Sequence, residues 1–145
     1  GDRERGIGVL KETVAINPEN GTTHWLLAFA YLQSGQTALG IQAADAALAA
    51  GYTFRSENEA QPVATALAGI QDWERLLALY QRVVLNTGSG TAQAKVAAVL
   101  AQMGRKDEAV VVAREVLAKD PSLKTQVDDF IQKVESGQTT GFVAE

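Results

Sequence analysis

The side chains that could do chemistry are few, and their spacing argues against catalysis. His24 is the only histidine. No H-E-x-x-H pattern surrounds it, so it reads as a polar residue early in a helix rather than a metal ligand or base. No serine lies in a G-x-S-x-G elbow. Gly88-Ser89-Gly90 has the look of a phosphate loop, but no Lys-Ser/Thr follows it. It connects two helical patterns, so a turn is the reading it supports. Asp107 and Glu108 adjoin, as do Asp128 and Asp129. Helix neighbours point about 100° apart, so neither pair can share one substrate atom. They solvate the surface or support helix ends through the dipole. Cysteine is absent, which excludes disulfides and thiolate metal sites. No metal, no cofactor and no enzymatic activity are expected.

The remaining candidates are surfaces for a partner, and helices must position them. Of the 145 residues 46% are apolar, with Ala and Leu foremost, and only three are Pro. Such a composition favours helices. Period-two alternation is scarce, so a sheet is not expected. The net charge of −4 mixes 13 basic with 17 acidic residues and shows no basic run. Nucleic acid is therefore a poor partner, and so is a membrane surface. No apolar stretch is long enough to span a bilayer. The lack of cysteine favours a reducing cytoplasm, although an extracytoplasmic domain of a membrane protein also fits.

The chain repeats. Gly1, Gly35 and Gly104 each stand in a turn five residues before a small residue, Gly6, Gly40 and Ala109. The first interval is 34 residues and the second 69, about two periods. Gln71 takes the turn position of the copy between them. Pro18 and Pro121, in INPEN and KDPSL, mark helix stops about three periods apart. Eight helices follow: about 2–16, 23–34, 37–50, 57–70, 72–86, 91–103, 106–119 and 124–135. Pro62 makes the fourth irregular. Ser56 and Glu59 have capping-box spacing, so the helix kinks at Pro62 or a short turn precedes a helix beginning there.

Two stretches carry a family resemblance. Gly21–Tyr52 holds Trp25, Leu27-Ala28, Tyr31, the turn Gly35 and the small residues Gly40 and Ala47. Gly90–Leu123 adds a GRKDEA turn and a DP ending. In these residues the chain resembles the tetratricopeptide repeat family over nearly its whole length. The resemblance implies an all-α, right-handed superhelical stack of antiparallel helix hairpins, an α-solenoid closed by a C-terminal capping helix. It divides residues 1–135 into a half repeat (1–20), a repeat (21–54), a degenerate repeat (55–89), a repeat (90–123) and the cap (124–135). A flexible tail, 136–145, follows.

The resemblance also implies a concave groove lined by the first helix of each hairpin. Thr22, Trp25, Leu26, Phe29, Gln33, Gln61, Thr65, Lys95 and Gln102 are its expected lining. The function implied is binding of a partner protein, as a peptide or helix, in a partly apolar groove. Trp25 suits groove and core equally, and Lys95 offers a cation to an acidic partner. The chain opens in the second helix of a hairpin, so Ile7, Leu10 and Val14 are expected to form an uncovered stripe. That stripe suggests the C-terminal array of a longer protein, or a homodimer joined through the half repeat. The alternative function is an accessory or oligomerisation tail of a larger bacterial enzyme or membrane protein. The NPEN and SGQ segments look like those of surface-polysaccharide proteins.

Overall fold

A computed structural model describes residues Gly1–Gln138. Eight α-helices account for most of them: α1 (Asp2–Ile16), α2 (Gly21–Gln33), α3 (Thr37–Ala49), α4 (Gln61–Gly69), α5 (Trp73–Thr87), α6 (Gly90–Gln102), α7 (Lys106–Lys119) and α8 (Lys124–Glu135). Two 3-10 turns, Glu57–Ala60 and Pro121–Leu123, precede α4 and α8. The fold is all-α, and among the described residues there is no strand. The bounds of α1, α7 and α8 are those expected from the residue pattern. The fourth helix is resolved in favour of the short turn. Pro62 occupies the first turn of α4, where its missing N–H costs nothing, and the helix is not kinked.

The chain divides into two compact units. The first comprises Gly1–Phe54 and Asn58–Gln71, and the second Arg55–Glu57 and the chain from Asp72 onward. In the first unit α1 packs on α2, α2 pairs with α3, and α4 packs against both α2 and α3. In the second, α5, α6, α7 and α8 pack successively.

The seams of both units are built from small residues. Ala28, Ala43, Ala44 and Ala47 are buried between α2 and α3. Ala92, Ala97, Ala109 and Ala113 have no exposed surface in the α6–α7 pair. Without bulk at these positions the helix axes can close up and larger neighbours interlock. Gly40 is the extreme case. A Cβ there would lie 2.7 Å from Leu32 Cδ2 and 3.2 Å from the Ala28 carbonyl oxygen.

The hairpin turns depend on left-handed backbone. Gly35 and Gly104 both have φ of +75°, and each is followed by a bond closing the helix before it. Gln36 N donates to Tyr31 O at 2.9 Å, and Arg105 N to Leu100 O at 2.9 Å. Gln71 fills the same place between α4 and α5 with φ of +57°. A residue with a Cβ adopts that conformation at a cost of about 1–2 kcal/mol. Gln71→Gly is therefore expected to raise the unfolding free energy by about 0.5–1 kcal/mol, after the extra freedom of the unfolded chain is deducted. Urea denaturation reads this directly, and an unchanged or lower midpoint would show that the turn carries no strain.

Two expectations about the chain ends need correction. Ile7 is not part of an uncovered stripe. It is 8% exposed and belongs to the core of the first unit, where α2 covers it, and Leu10 and Val14 are half-buried. α1 lays that face on α2, which covers Ile7 and leaves Leu10 and Val14 partly exposed. The apolar side chains α1 leaves out are Val9 and Ile16. At the other end, residues 136–138 form a hydrogen-bonded turn, with Gln138 N donating to Lys133 O at 2.8 Å. The rest of the expected tail, 139–145, lies outside the described residues.

Candidate functional site

α2 begins at Asn20, whose side-chain oxygen accepts from Thr23 N at 3.2 Å. This cap satisfies one of the free donors of the first turn and fixes where the helix starts. Its phase then decides which side chains point inward. Trp25, Leu27, Ala28 and Tyr31 are buried. Thr22, Leu26, Phe29 and Gln33 recur at intervals of four, three and four residues, so they share the opposite face. All four are exposed, Leu26 at 53% and Phe29 at 40%.

Trp25 is therefore core and not groove. The covering comes from within the first unit rather than from a missing repeat. Tyr52 stacks on the Trp25 ring at 5.1 Å, and Phe54 meets it edge-on at 5.0 Å. Tyr52 and Phe54 themselves cross at 83°. Phe54 is 2% exposed. The Tyr52 hydroxyl donates to Glu59 Oε2 at 3.0 Å, which ties the α3–α4 connection to the turn before α4. Gly21 lets the start of α2 approach that connection, since a Cβ on it would lie 3.0 Å from Tyr52 N.

On α4, Gln61 and Thr65 are exposed and share a face, with Gln61 Nε2 donating to Thr65 Oγ1 at 3.4 Å. Gln102 is exposed at the end of α6, in the second unit. Lys95 is not a free cation. Its ammonium is paired with Glu57 inside the second unit and lies 5.6 Å from the centre of the Tyr80 ring. Glu57 also accepts from the hydroxyl of Ser89 at 3.1 Å. Burial pushes the Tyr80 hydroxyl above its ordinary pKa, against the pull of the Lys95 ammonium. An acidic partner would have to displace Glu57, a carboxylate already in place, so Lys95 leaves the expected lining. Its position was readable from the sequence, but its partner, 38 residues away in a turn, was not.

The other polar candidates have structural partners. His24 Nε2 lies 2.7 Å from the Pro18 carbonyl and holds the α1–α2 connection. Gly88-Ser89-Gly90 is the expected turn. Gly88 ends α5 in the left-handed conformation, and the Ser89 hydroxyl accepts from Ala92 N to cap α6. Among the described residues, no three His, Asp or Glu side chains gather where a metal ion could be held. None of the described helices is long and apolar enough to cross a membrane.

Serial helix hairpins with Gly or Ala seams and left-handed turns define a helical-repeat protein. The fold is like that of tetratricopeptide-repeat proteins. The fold matches the crystal structure of YrrB, described as a TPR protein with an unusual peptide-binding site. The TM-score is 0.65 at 18% identity, covering 93% of this chain and 69% of that one. It also matches two structures of MamA. One has a TM-score of 0.63 at 22% identity, covering 94% of this chain and 74% of the other. The second has a TM-score of 0.59 at 19% identity, covering 94% and 89%. No protein-family model matches the sequence, and no curated protein does.

Proposed function

We propose that the chain is a non-catalytic protein-interaction module, and that a partner peptide or helix docks on the exposed face of α2. The observation that carries this reading is the exposure of Leu26 and Phe29 side by side on a helix that buries Trp25, Leu27 and Tyr31 and half-buries Leu32. Single exposed leucines are ordinary, but an aromatic and a leucine three residues apart make an apolar shelf. Such a shelf suits an anchor residue from a partner, and Thr22 and Gln33 at its ends can hydrogen-bond the partner's backbone. Gln61 and Thr65 on the neighbouring α4 extend the polar rim. The peptide-binding site named for YrrB belongs to that protein, but the shared fold makes a peptide-accepting surface reasonable here. The alternative, a self-associating tail, gains no support from α1. Of the expected stripe, Ile7 is in the core and Leu10 and Val14 are half-buried.

Selection of a random displayed peptide library on the purified chain tests the reading. Binders are expected, and Phe29→Asp should weaken them by about ten-fold or more, with helicity unchanged. No binders, or binders indifferent to both Phe29→Asp and Leu26→Asp, would overturn it.

A further inference from the structure

We infer that the segment accepted by the α2 face is uncharged, and that its binding is driven by apolar burial with no contribution from ion pairing. The inference rests on the docking role proposed above and identifies the class of partner. From Gly21 to Ala44 the sequence holds no Asp, Glu, Lys or Arg, although these make up 21% of the chain. α4, Gln61–Gly69, holds none either. The face of Thr22, Leu26, Phe29 and Gln33 and its neighbour of Gln61 and Thr65 thus offer hydrocarbon, hydroxyl and amide only.

Three ionisable side chains on or next to these helices have partners of their own. Arg3 donates through Nη1 to the Gln33 carbonyl oxygen at 3.1 Å, at the end of α2. Glu59 accepts from the Tyr52 hydroxyl, and His24 is held at Pro18. A lysine or glutamate pressed onto Leu26 and Phe29 would lose water, and neither α2 nor α4 carries an Asp, Glu, Lys or Arg to pair with it. An apolar side chain placed there loses nothing and removes two exposed hydrocarbon surfaces from water. Charged partners are thereby disfavoured whatever their sign, which is discrimination by absence of complement.

The experiment uses the full 145-residue chain and the peptides from the selection above that are weakened by Phe29→Asp. Their contact positions are expected to be depleted of Asp, Glu, Lys and Arg. Calorimetry at about 50 mM and about 500 mM NaCl, which spans strong and weak screening, is expected to give dissociation constants within about two-fold. Replacing the peptide's apolar anchor with Lys or with Glu should weaken binding about ten-fold in either case. Thr22→Glu should create the missing salt dependence toward a Lys-bearing peptide. Enrichment of ionised contact positions, or weakening of about five-fold or more with salt, would overturn the inference while leaving the docking role intact. If no selected peptide responds to Phe29→Asp, the docking role itself fails and this inference with it.

Discussion

Replacing Trp25 with alanine should lower the unfolding free energy by about 3–5 kcal/mol, while replacing Phe29 with alanine should cost less than about 1 kcal/mol. The two aromatics are four residues apart on one helix, and they differ in what covers them. Trp25 is 6% exposed and touches two rings that touch each other. Truncation removes the transfer energy of an indole and opens a cavity that Tyr52 and Phe54 border. Phe54, almost wholly buried, cannot swing in without vacating its own site. Phe29 at 40% exposure leaves no cavity on truncation. Denaturant titration of both variants reads the contrast. Similar losses for the two would place Phe29 in the core and remove the docking shelf. A small loss for Trp25→Ala would mean that the three-ring cluster contributes little.

That pair of residues also shows where sequence reading stops. Helix positions were legible because the local signals are local in origin. The turns at Gly35 and Gly104 and the stop before Pro121 each act within a few residues. The exposed side of α2 was partly legible, since Leu26, Phe29 and Gln33 follow helical spacing. The choice between core and groove for Trp25 was not legible. It is made by Tyr52 and Phe54, which lie in an irregular connection with no periodicity to announce them. The same holds for Lys95, whose counter-ion Glu57 belongs to a 3-10 turn. For Ile7, periodicity gave the face correctly, but which neighbour covers a face is a property of packing. In each case local chemistry fixed the element and a distant residue fixed the role.

Gly40 carries the second large expected effect. Gly40→Val should destabilise the chain by about 3 kcal/mol, against a helix propensity that taken alone favours valine over glycine. The reason is distance. The first carbon of any side chain would stand 2.7 Å from Leu32 Cδ2 and 2.8 Å from Leu32 Cγ. These are well inside van der Waals contact, and the Ala28 carbonyl oxygen at 3.2 Å blocks the retreat. Leu32 is half-buried, so its outer methyl can yield, but its branch point moves only if the side chain leaves its rotamer by a turn about χ1. Strain at one identifiable side chain predicts rescue at that side chain. Leu32→Ala alone should cost about 2 kcal/mol, and the double variant should be more stable than the sum of the two by at least about 1 kcal/mol. Gly21→Ala offers the control. The three atoms nearest its new Cβ are all backbone: Tyr52 N, Tyr52 Cα and the Ala47 carbonyl oxygen, at 3.0–3.2 Å. No side-chain truncation can relieve that contact, so its loss of about 1–2 kcal/mol should persist whatever stands at position 32. Strict additivity in the Gly40–Leu32 pair would mean that the α2–α3 seam absorbs the added carbon by sliding. The small residue would then reflect tolerance at this position and not a requirement for close approach.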